Sequence, residues 1–215
     1  MNRYMREPIN GITHLAGAIL SFIALLSMTI KVASDNASII AMMAVIVFGI
    51  SLILLYATSA TYHLVISSEG VIKFLRRLDH SMIFVLIAGS YTPFCLIALN
   101  NLSGWILFTL ICVFALCGIV FKMAWFNCPH WLSTAIYIVM GWLAIFLVQP
   151  LTASLSVAGT SLLVGGGVLY TIGGIIYGIK PNFIKNKYLG YHEIFHIFIL
   201  LGSLLHFLCI YLFVI

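Results

Sequence analysis

His192 and His196 stand four residues apart in Tyr-His-Glu-Ile-Phe-His-Ile-Phe, residues 191–198, inside an apolar run that carries the chain to Ile215. On a helix, residues four apart share a face about 6 Å apart along the axis. Two imidazoles so placed can share one metal ion. Ionisable side chains inside a membrane helix are costly to hold there and are read as functional by default. A third histidine, His63, ends another apolar run, with Ser59 one turn before it. Three histidines, two of them at i and i+4 and one from a separate helix, fit a Zn2+ site with an open fourth position. A water held there has its pKa lowered to about 7. Asp79 could orient a ligand histidine or take a proton from that water, and Ser59 could hydrogen-bond to the water or to a substrate carbonyl. The bland alternative is that each histidine bonds singly to a neighbouring helix.

The elements that must position these residues follow from composition. Hydrophobic residues make up 63% of the chain and charged residues 7%, with a mean hydropathy of +1.19. No soluble core needs that much apolar surface, so the sequence implies an all-α, polytopic membrane protein. Seven apolar runs can be counted, near 9–30, 39–66, 80–99, 104–122, 132–148, 159–179 and 191–215. They form one domain over residues 1–215, without linkers or repeats. Ser68 to Arg77 reads as a short basic loop on the membrane surface, and Asp79 then opens the third helix. Pro93 interrupts that helix, and Gly174 with Gly178 makes a small-x-x-x-small packing step in the sixth.

Arg3, Arg6, Lys73, Arg76, Arg77, Lys122, Lys180, Lys185 and Lys187 all fall on one side of a seven-helix arrangement, and Lys31 alone falls on the other. By the positive-inside rule the N-terminus is cytoplasmic and the C-terminus outside, in the inner (plasma) membrane. The net charge of +5 reports this topology rather than nucleic-acid binding, and membrane lipids are the expected partners. The five cysteines make no Cys-x-x-Cys pair, which excludes a disulfide framework or zinc knuckle. The topology puts His14, Ser59, His63, Asp79, His192 and His196 at one depth, near the cytoplasmic face. His130 and His206 lie elsewhere; His206 is about 15 Å along its helix from His196, too far to share a metal.

Glu193 completes a literal His-Glu-x-x-His, in which zincins use the glutamate as a general base. An intramembrane metalloprotease is therefore an alternative, although Glu193 at a helix start also suits the helix dipole. A proton or ion transporter using Asp79 and the histidines as a relay is another.

Glu7-Pro-Ile-Asn10 with Thr13-His14, Ser59 to His63, Arg77-Leu-Asp79-His80 with Ala88 to Pro93, and His192 to His196 with Gly202 to His206 together resemble the bacterial haemolysin III family, which sits with the progestin and adipoQ receptors. The resemblance spans nearly the whole chain. It implies seven helices with the N-terminus inside, and a zinc ion on the positions of His63, His192 and His196. It also implies functional roles for Ser59 and Asp79. The adiponectin receptors carry an Asp one turn after the second-helix histidine, where this chain has Ser67; Asp79 is the expected substitute. Receptor-like members imply hydrolysis of ceramide amides, and bacterial members imply haemolysis or membrane lipid balance. The expected function is thus a zinc-dependent hydrolase of acylated lipids. The alternative is a non-enzymatic lipid sensor or pore-forming cytolysin in which zinc is structural.

Overall fold

The computed structural model describes residues 5–125, 127–181 and 190–215. Among these the chain is helical, and seven helical segments are long and apolar enough to cross a membrane. The first four crossings are α1 (Pro8–Ser34), α2 (Ile39–Leu64), α3 (Glu69–Pro93, continued by a π-helical turn over Phe94–Leu99) and α4 (Leu102–Ala124). The fifth is α5 (His130–Trp142) joined through a 3-10 turn, Leu143–Leu147, to α6 (Val148–Ser154). The last two are α7 (Val157–Ile179) and α8 (Tyr191–Phe213).

Local sequence sets most helix ends. Ser38, Asn101 and Ser156 accept hydrogen bonds from backbone N–H groups three residues on, which satisfies donors the first turn leaves open. Asn36 and Asn100 take the left-handed conformation just after helices end, a geometry asparagine tolerates.

The third crossing corrects two sequence expectations. Residues 69–77 are the first turns of α3, not a surface loop, and Asp79 lies ten residues inside the helix rather than opening it. Hydropathy measures polarity, whereas Lys and Arg are good helix formers. Glu69 pairs with Lys73 one turn on at 3.4 Å, so this amphipathic start is helical while failing an apolar window. The fifth crossing is also longer than its apolar run and is broken midway. Tyr91 accounts for the break. Its hydroxyl lies 3.1 Å from the Met140 carbonyl and 2.8 Å from that of Gly141, and accepts from Ala144 N–H. A side chain inserted into the helical ladder opens it. Pro150, which has no N–H to donate, lies just beyond.

Helix α1 packs on α2 and α8, α2 on α3, α3 on α5, α5 on α7, and α7 on α8, closing a ring; α4 lies outside it against α3. One apolar core joins α1, α2, α3 and α8 around Phe48, Leu52, Tyr56 and Ile210, and a second joins α3, α4 and α5 around Phe84, Ile111 and Met140. Gly174 and Gly178 let Thr134 of α5 approach α7, the packing role expected of them. The ring encloses a cavity of about 330 Å³. Two of its lining residues, Ile145 and Val164, are exposed on the lipid-facing surface, so the cavity opens sideways between the fifth crossing and α7.

Arg6, Lys73, Arg76, Arg77, Lys122 and Lys180 belong to the side of the bundle that carries His63 and His192; Arg3, Lys185 and Lys187 lie outside the described residues. Lys31 belongs to the other side, where its ammonium donates to the Tyr211 carbonyl at 2.5 Å near the end of α8. All five cysteines are free.

Candidate metal centre

The last turn of α2 and the first two turns of α8 bring His63, His192 and His196 together. One ring nitrogen from each lies within 4.8 Å of the others. His192 Nε2 and His196 Nε2 are 3.0 Å apart. His63 is fully buried, its Nε2 has no hydrogen-bond partner among the described residues, and its ring meets those of His192 and His196 edge-on at 5.0 and 4.9 Å. A buried ring nitrogen without a partner is costly unless something else uses its lone pair. Three imidazole nitrogens converging in this way have the donor chemistry and spacing of a transition-metal site.

The carboxylate behind this cluster is Glu7, which no ligand spacing in the sequence singles out. Its Oε2 lies 2.5 Å from His63 Nδ1. Its backbone N–H donates to the His63 carbonyl at 2.9 Å, so the segment before α1 is strapped across the end of α2. Glu7 is further held by Arg6 at 3.4 Å, and the Arg6 guanidinium rests over the Tyr62 ring. The hydrogen bond with His63 is the main reason the Glu7 carboxyl is held down at about 2. A carboxylate on the far nitrogen fixes a ligand histidine's tautomer and orientation. Orienting a histidine was one of the two roles open to Asp79; at His63 Nδ1 the carboxylate in contact is that of Glu7.

Asp79 and Ser59 line the cavity with His14, His192 and His196. They sit beside the histidines, not among them: Asp79 is not one of the converging ligands. His14 stacks flat on His196, with ring centroids 3.6 Å apart and planes at 11°, and packs edge-on against Tyr56. It therefore holds the His196 ring in its plane. His80 is tied to the Arg76 carbonyl and to the Tyr177 hydroxyl.

Glu193 does not face the cluster with a free carboxylate. One oxygen accepts from Gly190 N–H at 2.8 Å and the other from Asn10 Nδ2 at 3.1 Å, which closes the start of α8 and ties it to α1.

The family model described as Haemolysin-III related matches residues 2–207. The chain belongs to the haemolysin III family. Within this family, Hemolysin-3 of Bacillus cereus is 41% identical over 216 residues, covering 100% of this chain and 94% of the relative. The Hemolysin-3 homolog of Bacillus subtilis (strain 168) is 42% identical over 204 residues, covering 95% and 92%. The haemolysin III family in turn belongs to the progestin and adipoQ receptor superfamily, and this member is a multi-pass membrane protein.

Proposed function

We propose that this haemolysin III-family protein lies in the inner membrane with its N-terminus cytoplasmic, holds Zn2+ on His63, His192 and His196, and hydrolyses an acylated lipid of amide or ester type. The observation that carries the reading is the convergence of three histidine nitrogens within 4.8 Å at a cavity that also presents Asp79 and Ser59. The unpartnered Nε2 of buried His63 supports a metal there rather than a purely structural cluster. Zinc, when bound, supplies Lewis acidity that polarises a carbonyl.

The remaining work falls to the chain. The lateral opening between the fifth crossing and α7 admits a lipid from the bilayer, and the apolar lining receives its acyl chain. Ser59 donates a hydrogen bond to the carbonyl oxygen. Asp79 exchanges a proton with the attacking water and then with the leaving group. Glu7 keeps the His63 ring in place, and His14 does the same for His196. Glu193 has no step in this scheme, since both of its oxygens are engaged.

The test is a mass-spectrometric assay of ceramides and acylated phospholipids with purified wild type, Asp79→Asn and His63→Ala. Asp79→Asn should keep its zinc and lose roughly 10²-fold or more in turnover, the usual contribution of a positioned acid–base group. Ser59→Ala should lose less. Equal turnover in all the proteins would mark the activity as a contaminant.

The name Hemolysin-3 of the Bacillus cereus relative favours a second reading, a cytolysin or lipid sensor in which zinc only staples α2 to α8. Dye leakage from liposomes on addition of wild type, with no lipid turnover, would support it over the hydrolase.

A further inference from the structure

The cavity continues well past the histidine cluster. Its walls run along α8 from His192 to His206 and along α7 through Thr160, Leu163, Gly167 and Gly174. His206 lies ten residues beyond His196, about 15 Å along the helix. The lining between includes Ile199 and Phe94, both apolar. At the far end polarity returns. His206 Nδ1 and Thr160 Oγ1 are buried and have no hydrogen-bond partner among the described residues.

The geometry states what is missing. His206 Nε2 lies 3.2 Å from the Leu163 carbonyl. A carbonyl only accepts, so Nε2 carries the proton and Nδ1 is left as an acceptor. The ring cannot turn to find another donor. Its Cδ2–Nε2 edge is seated on Gly166, where an added Cβ would stand 2.3 Å from Cδ2. Phe94 and Tyr170 pack edge-on against it. The Tyr170 hydroxyl is engaged with Ser203 at 2.8 Å, and Ser203 also receives the Tyr56 hydroxyl. The chain thus holds an acceptor on a residue that lines the apolar end of a cavity, and the described residues supply no donor for it. A charged donor would be expensive in such surroundings, whereas a hydroxyl would not.

We infer that the far end of the cavity, at His206 and Thr160, recognises a hydroxyl group on the tail of a long-chain lipid. The hydroxyl donates to His206 Nδ1, and Thr160 on the α7 wall offers a second polar group at that end. Preferred ligands are then acyl chains hydroxylated well away from the carboxyl end, at a distance set by the span from His196 to His206. This rests on the cavity being an acyl-chain site, but not on hydrolysis.

The probes are 12-hydroxyoctadecanoate, whose hydroxyl stands at a comparable distance from its carboxylate, and octadecanoate. Each would displace a fluorescent fatty acid from the purified full chain in nanodiscs. The hydroxylated acid should bind wild type about tenfold more tightly, the scale of one added hydrogen bond to an unpaired buried group. His206→Phe should abolish the preference, and Thr160→Val, which keeps side-chain shape, should reduce it. If His206→Phe does not fold, wild type and Thr160→Val decide. Equal binding of the two acids by wild type would overturn the inference and assign His206 Nδ1 to a water, while leaving the acyl-chain reading intact. A preference that survives both substitutions would also overturn it. Binding of neither acid would remove the acyl-chain reading itself.

Discussion

Glu7 decides how His63 is presented. It contacts Nδ1 through its carboxylate and the His63 carbonyl through its own N–H, so its position is fixed from two directions. Glu7→Gln keeps the shape but weakens the hydrogen bond and removes the charge. Zinc affinity, read by chelator competition, should fall about 10–100-fold with helix content unchanged. Unchanged affinity would mean that Glu7 only anchors the segment before α1. The three converging histidines were legible in the sequence because polar residues at helical spacing stand out in apolar runs. Glu7 was not, since it lies outside the runs and 56 residues from its partner. Its one trace was the Glu7-Pro-Ile-Asn10 stretch that carried the family resemblance. Glu193 was legible as half of a metalloprotease pattern, but pattern alone could not show that Gly190 and Asn10 take up its oxygens.

The helices were read well where apolarity and helicity coincide, and less well where they part. The basic start of α3 is helical without being apolar, and this moved Asp79 from the helix end to its interior. The break in the fifth crossing depends on a residue from another helix, Tyr91, which no local pattern in residues 130–154 reveals. Tyr91→Phe leaves the Gly141 carbonyl and Ala144 N–H without that partner. It should cost about 1–3 kcal/mol, read as a lower melting temperature in detergent. No change in melting would show that the 3-10 turn persists without the hydroxyl. On α7, Gly166→Ala should drive a Cβ into the His206 ring. Overpacking of this kind costs about 1–3 kcal/mol, and thermal unfolding measures it against Gly167→Ala, where the nearest atom would be 3.7 Å away.

At the scale of the molecule, the closed ring of helices turns scattered polar residues into one site and gives that site an apolar chamber open to the bilayer. Charge asymmetry in the sequence predicts the orientation. Reporter fusions should place Lys73 in the cytoplasm and Ile215 outside, and a cytoplasmic Ile215 would overturn the depth assigned to the histidines. The chamber itself was not legible, because it arises where α3, α5, α7 and α8 fail to fill the space between them. What the three converging histidines hold decides the proposed chemistry. Zinc content of the purified protein, measured by elemental analysis for wild type, His63→Ala, His192→Ala, His196→Ala and His206→Ala, tests this most directly. The expected result is about one zinc per chain in wild type and His206→Ala and a clear loss in each of the other three, with a lower melting temperature because a ligand bound only by the folded state stabilises it. Wild type without zinc, or full zinc in all three cluster variants, would contradict the account.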